Sequence, residues 1–167
     1  MTDIKHPADT EFALAFDQAH LAASQVVHYG IEINPRVMET CASPPTVLSE
    51  WLVTSDHIND TGSIDEGVVA TVTDNTLSTL GVAIRSAGKN MSMAVTELSA
   101  HTVRPIEPGT VVEMLCTLDS DPFITQPHAT TVFRNKRDRA CIYAVVFAAA
   151  TKTGIANRPR AKSQPKL

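Results

Sequence analysis

From Asp65 to Ser86 the chain carries no proline, its glycines are Gly67 and Gly81, and most other side chains are Val, Ala, Leu, Ile or Thr. A proline-free run of this length reads as a helix, and apolar residues on most of its sides mean a helix that is largely buried. The polar cluster HINDTGS at 57–63 sets its start as a loop, and Gly88 stops it. Its many β-branched residues have restricted rotamers in a helix, so an isolated peptide would not prefer that state. Packing must impose it, which requires another layer of structure around it.

The remaining sequence supplies that layer. MSMAVTELSAHTV, TVVEMLCTL, HATTVFRN and ACIYAVVFAAAT are enriched in β-branched residues and separated by turns at 105–109, 119–127 and 135–139. Short turns between strands make neighbours antiparallel. Upstream, PRVMETCASPPTVLSEWLVT divides into two strand-like pieces at Ser43-Pro44-Pro45. The order of elements predicts an α+β domain over 35–154, in which a curved antiparallel sheet wraps a long central helix. Residues 9–29 read as an additional amphipathic helix stopped by Gly30, within an N-terminal extension over 1–34. Residues 155–167 read as a disordered basic tail.

A chain of 167 residues fits one domain, and 43% hydrophobic against 19% charged residues supports a soluble globular core. A net charge of −4 argues against a general nucleic-acid or anionic-membrane surface. No run reaches the ~18 apolar residues of a membrane span. The N-terminal MTDIKHPADTEF has no apolar leader region, so a cytoplasmic protein is expected; the final PKL, a distant relative of the SKL ending, leaves a peroxisomal address open. Cys41, Cys116 and Cys141 are odd in number and lie in apolar contexts, as buried thiols of a reducing compartment do.

Asp65 falls at the N-cap of the predicted helix and Glu66 in its first turn, where carboxylates satisfy orphan N–H groups and complement the helix dipole. Asp74 has no such account. On a helical wheel Gly67, Thr71, Asp74, Ser78 and Gly81 form one seam of small or polar residues, beside aliphatic lines through Val68, Val72, Leu77, Leu80 and Ile84. Such a seam admits close approach of another backbone or of a slender ligand. An unpaired buried carboxylate is costly. Asp74 is therefore either bonded locally, to Asn75 or Ser78, or faces water and substrate in a cleft.

The stretch HINDTGSIDEGVVATVTDN resembles the signature of hotdog-fold acyl-CoA thioesterases of the phenylacetyl-CoA-thioesterase type, within the 4-hydroxybenzoyl-CoA thioesterase superfamily. There a loop His and Asn, a Gly, a His-Gly-Gly triplet and a helix Asp follow one another in that order. His57, Asn59, Gly62, Gly67 and Asp74 occupy the corresponding places without a gap. TELSAHTVRPIEPG is similar to the family's next strand and Pro-x-x-x-Gly turn, through Pro105 and Gly109. The likeness covers about residues 37–153. It departs at the triplet, where Asp65 and Glu66 stand in place of the His and the first Gly.

The resemblance implies hydrolysis of an acyl-CoA thioester, a reaction of lipid metabolism, with no cofactor. Asp74 would be general base or nucleophile, Asn59 would position water or carbonyl, and the N–H of Glu66 or Gly67 would be the oxyanion donor. His57 and Asp65 would flank the site, and Thr96 is the nearest match to a strand Ser or Thr that family members often add; by themselves His57 reads equally as a satisfied loop histidine and Thr96 as a structural strand residue. The family's site is shared between two subunits. Within one helix Glu66 and Asp74 are about 12 Å apart, so a homodimer, or a dimer doubled into a homotetramer, is expected. Coenzyme A carries phosphates, and the basic turn with Arg134, Lys136 and Arg137, together with Arg104 and Lys89, offers candidate partners. The tip is equally readable as a solvated hairpin end. His57, His101 and His128 have no metal-ligand spacing, so no metal is expected. Two other readings stay open: an acyl-CoA-binding or scaffold protein that has lost catalysis through the Asp65-Glu66 change, and a biosynthetic enzyme acting on an acyl chain. The acyl group itself is not legible.

Overall fold

Strand and helix boundaries follow the sequence patterns closely. The computed structural model describes residues 14, 26–28, 31–86, 92–119 and 126–153. Strands β1 (Val26–His28) and β2 (Ile31–Ile33) form a small antiparallel pair. They are followed by β3 (Arg36–Ala42), β4 (Pro45–Leu52), a 3-10 turn at Ser55–His57, helix α1 (Glu66–Ser86), β5 (Ser92–Thr102), β6 (Val111–Leu118), β7 (His128–Asn135) and β8 (Ile142–Thr153). The six strands β3–β8 make one antiparallel sheet in the order β3-β4-β6-β7-β8-β5.

Period-two alternation decides which face of the sheet meets the helix. Val47 and Trp51 on β4, Val112, Met114, Cys116 and Leu118 on β6, Phe133 on β7, and Ala144 and Val146 on β8 are all buried. Val68, Val69, Val72, Leu77, Leu80 and Ile84 of α1 are buried too. One cluster joins Val68, Val69 and Val72 to Trp51, Met114 and Phe133; the other joins Leu77, Leu80 and Ile84 to Val47, Cys116 and Leu118. Each fully buried aliphatic side chain contributes roughly 1.5–3 kcal/mol, enough to override the unfavourable propensity of the β-branched residues. Hydroxyls adapt within the helix: Thr71 Oγ1 donates to Gly67 O at 2.7 Å, and Thr79 Oγ1 to Asn75 O at 2.8 Å.

One expectation is corrected. The reading of 9–29 as one helix fails at its end, because residues 26–28 are a strand; a short β-ladder with β2 competes with helix there, and Val26 and Val27 favour it. Leu14 is helical and the remainder of that stretch lies outside the described residues, as do Lys89 and the PKL ending. The seam of small residues also serves two purposes. Gly81 is buried, and a Cβ placed there would approach Met93 Cβ and the Met93 backbone N to 3.1 Å, so at that end the close neighbour is β5. Gly67, Thr71, Asp74 and Ser78 face away from the sheet, half-buried or exposed.

Candidate active site at the start of the helix

A short, heavily hydrogen-bonded loop delivers the chain into α1. Asn59 organises it: its Oδ1 accepts from Thr61 N–H (3.0 Å), Thr61 Oγ1 (2.6 Å) and Ser63 N–H (3.1 Å). Its backbone closes the same turn, with Asn59 N–H donating to Ser63 O and Gly62 N–H to Asn59 O, both at 2.9 Å. Gly62 sits at φ 78, a left-handed conformation that suits glycine. Its carbonyl accepts from Ile106 N–H at 2.9 Å, which ties the loop to the Pro105–Gly109 turn. The Asn59 acceptor is thus fully engaged within the loop, and its side-chain amide retains the donating function.

At the helix terminus Asp65 caps as expected. Its Oδ1 accepts from Gly67 N–H at 2.8 Å and from Val68 N–H at 3.2 Å. The sequence left two candidate oxyanion donors, and this cap distinguishes them. Gly67 N–H is occupied, whereas Glu66 N–H has no partner among the described residues. The exposed Glu66 side chain stands beside that donor.

Asp74 lies two turns along the helix, exposed, with no hydrogen bond or ion pair to its own subunit among the described residues. Neither Asn75 nor Ser78 accounts for it. Thr71 and Ser78, which flank it on the helix surface, are half-buried.

The other sequence candidates are dispersed. His57 is 3% exposed, its ring edge-on to Trp51 at 4.8 Å and its Nδ1 accepting from Thr54 N–H at 2.9 Å. It is part of the core beneath the loop, and its backbone carbonyl anchors Asp65 N–H at 2.9 Å. Thr96, on β5, donates through Oγ1 to Ala149 O at 3.2 Å, where the β5–β8 register shifts. Arg104 reaches Cys141 Sγ at 3.6 Å.

The basic hairpin tip is largely self-neutralised. Arg134 and Arg139 both bind the buried carboxylate of Glu113, at 3.1 and 2.7 Å, and Lys136 binds Glu50 at 2.5 Å. The sheet register causes this, because Glu50, Glu113 and Arg134 are directly opposite one another on β4, β6 and β7. Arg137 has no ion pair among the described residues. The three thiols also differ from expectation: Cys116 is buried, whereas Cys41 and Cys141 are half-buried near strand ends. Among the described residues no group of three or more His, Cys, Asp or Glu is arranged to hold a metal, and no helix is long and apolar enough to cross a membrane.

A curved six-stranded antiparallel sheet around one long helix, with the helix entered through a Gly-bearing loop, is the hotdog fold. Solved structures with this architecture superpose on the chain. They include a hypothetical thioesterase with coenzyme A from Streptococcus pneumoniae TIGR4, with a TM-score of 0.61 and 12% identity over 83% of this chain and 94% of that one. The smu.793 protein of Streptococcus mutans UA159 bound to acetyl CoA has a TM-score of 0.60 and 13% identity, covering 72% and 90%. The PaaI protein of the E. coli phenylacetic acid degradation operon has a TM-score of 0.57 and 11% identity, covering 86% and 94%. No family model matches the chain, and no curated protein matches it in sequence.

Proposed function

We propose that this protein is an acyl-CoA thioesterase whose site is built from the start of α1 in one subunit and Asp74 of another. The observation that carries this reading is the presence, on one 21-residue helix, of a Glu66 N–H at its positive end and, two turns on, an exposed Asp74 carboxylate, each without a partner among the described residues. The fold shared with coenzyme A-bound and thioesterase structures supports it.

In this mechanism the thioester carbonyl oxygen accepts from Glu66 N–H, which stabilises charge that develops as the carbonyl carbon becomes tetrahedral. Asp74 takes a proton from water, the resulting hydroxide adds to the carbonyl carbon, and collapse breaks the C–S bond. The proton returns from Asp74 to the coenzyme A thiolate, leaving free acid and thiol. Direct attack by the Asp74 carboxylate, through an anhydride that water then opens, is the variant in which Asp74 is nucleophile. The Asn59 amide donates to the carbonyl or to the water. Eight residues of helix separate Glu66 from Asp74 by about 12 Å, too far to flank one carbonyl, so two copies are required. Among the described residues strand β5, of 11 residues, forms an unpaired sheet edge and packs on α1 at Gly81, which offers a second copy a surface close to the helix. A homodimer is the minimal unit, and a homotetramer is compatible with it.

The test is hydrolysis of a panel of aliphatic and aromatic acyl-CoA esters by the purified protein, followed by free thiol release, beside Asp74→Asn. Turnover should fall about 10²- to 10⁴-fold in the variant, with stability within about 0.5 kcal/mol because the side chain is exposed. A flat response to every ester would end the hydrolase reading. A second reading, a hotdog protein that binds acyl-CoA without cleaving it, is favoured by one observation: the Asp65 carboxylate sits on the N–H next to the proposed oxyanion donor. Tight binding without thiol release would identify it.

A further inference from the structure

His57 is buried beneath the loop, and the mechanism above gives its ring no part. We propose that His57 is a positioning residue, whose ring clamps the loop so that Asp65 aims Glu66 N–H at the thioester carbonyl. The proposal rests on the thioesterase reading above and assigns the support on which its oxyanion donor depends.

Asp65 is held from two sides, and its backbone angles set the direction of the Glu66 N–H that follows. Within the helix its Oδ1 accepts from Gly67 and Val68 N–H, and its carbonyl accepts from Val69 N–H at 3.1 Å. From the loop, His57 O accepts from Asp65 N–H at 2.9 Å. That second anchor is only as firm as the turn that carries it. His57 closes the three-residue 3-10 turn Ser55–His57. The turn's own backbone bonds, His57 N–H to Thr54 O and Ile58 N–H to Ser55 O, are both 3.2 Å, at the long end of the range. A single 3-10 turn with such bonds has little stability of its own.

The ring supplies what the turn lacks. Its Nδ1 accepts from Thr54 N–H at 2.9 Å, with Thr54 Oγ1 at 3.2 Å from the same nitrogen. It stands edge-on to the buried Trp51 of β4, with ring centroids 4.8 Å apart. Val53, next to Thr54, is bonded on both sides: its N–H donates to Thr110 O at 3.0 Å and its carbonyl accepts from Gly109 N–H at 2.8 Å. Contacts therefore run without a break from the sheet through Val53 and Thr54 to the ring, and from His57 O through Asp65 to Glu66 N–H. The imidazole brings two properties to this chain. One is a flat body against Trp51, which another ring or an aliphatic side chain also provides. The other is an acceptor at the δ position, which those side chains lack. Misplacement of a reacting group by about 1 Å costs on the order of 10²-fold in rate, so the acceptor is the property tied to turnover.

Two substitutions separate these properties. His57→Asn keeps an acceptor, Oδ1, close to the place of Nδ1 and loses most of the ring. His57→Phe keeps a ring and loses the acceptor, and His57→Leu does the same with less bulk where a phenyl overfills the site. The melting temperature should fall further in His57→Asn, which leaves a cavity beside Trp51. Measured well below every melting temperature, kcat for an acyl-CoA should nevertheless stay within about threefold of wild type in His57→Asn and drop about 10- to 10²-fold in His57→Phe and His57→Leu, with KM little changed. Amide hydrogen exchange gives a readout independent of turnover: Asp65 N–H should exchange faster in His57→Phe and His57→Leu than in His57→Asn. Turnover that follows melting temperature across the variants, wild-type kcat in His57→Phe or His57→Leu, or equal Asp65 exchange in all of them would each overturn the proposal and leave His57 a core residue only. A wild type that releases no thiol from any ester ends the hydrolase reading, and the exchange experiment still decides whether the ring holds Asp65.

Discussion

The Asp65 carboxylate accepts a hydrogen bond from Gly67 N–H at 2.8 Å, which leaves Glu66 N–H as the donor exposed at the start of α1. One side chain therefore stabilises the helix and limits the chemistry beside it. A carboxylate at the cap contributes about 0.5–2 kcal/mol to the fold, yet it places negative charge next to the point where an oxyanion would form. Replacing Asp65→His together with Glu66→Gly removes both acids. Turnover of acyl-CoA esters should rise, while the melting temperature falls because the cap is lost and glycine enters the first turn. Unchanged turnover in a folded double variant would show that the acids point away from the substrate and do not restrain the reaction.

The ion cluster on β4, β6 and β7 bears on acid stability. Glu113 is 3% exposed and is held by Arg134 and Arg139. Burial pushes its carboxyl upward, but the hydrogen bonds and charges of Arg139 and Arg134 outweigh this and hold it below the ordinary value. A carboxyl lowered in the folded state contributes stability that is complete above its unfolded value, about 4.3 for Glu, and is lost as pH falls through the folded value. Urea titrations of the wild type should therefore show stability declining below about pH 4.3. Glu113→Gln should cost about 1–3 kcal/mol near neutrality. It should also flatten part of the acid limb, and an acid limb identical to wild type would assign that limb to other carboxyls.

How much of this was legible in sequence depends on the range of the interaction. Helix α1, the β3–β8 strands and the Asp65 cap arise from local periodicity and capping chemistry, and the sequence shows them. The pairing of Lys136 with Glu50 and of Arg134 with Glu113 depends on the register of three strands separated by many residues, so a basic tip was read where the fold builds a largely self-neutralised network. His57 was readable either as a site residue, from its place in a motif, or as a satisfied loop histidine, and its ring packs on Trp51 with Nδ1 accepting from Thr54 N–H. The exposure of Asp74 was an open alternative in sequence, since the partner of a carboxylate depends on packing that no local pattern encodes. The β1–β2 pair was missed because a window that reads amphipathic helix over 9–29 dominates three strand residues at its end.

The thiols give a direct chemical measure of core integrity. Burial pushes the Cys116 thiol up to about 11, reinforced by the charge of Asp119. Cys41 and Cys141 lie half-exposed. Since the thiolate is the reactive form, a disulfide reagent at pH 8 should modify Cys41 and Cys141 in the native protein and reach Cys116 only on unfolding. Peptide mapping of alkylated protein checks this. Modification of Cys116 at the same rate as Cys141 would mean that the cluster containing Leu77, Leu80 and Leu118 opens readily.

Under the proposed mechanism Asn59 has two functions that a single alanine substitution cannot separate. Its Oδ1 accepts three hydrogen bonds that close the loop, while its amide is the group free to donate to a substrate or water. Asn59→Ala should destabilise the protein by about 1–3 kcal/mol, because the Thr61 and Ser63 donors lose their acceptor. Activity would then fall for structural reasons alone. Asn59→Asp keeps an acceptor at Oδ1, and a carboxylate binds N–H donors more strongly than an amide does. That variant should retain its melting temperature while losing about 10- to 10³-fold in turnover, since it presents an acceptor and a negative charge where a donor is needed. Thermal melts beside steady-state kinetics separate the two outcomes. Full activity in Asn59→Asp would confine Asn59 to holding the loop and leave Glu66 N–H as the donor facing the carbonyl.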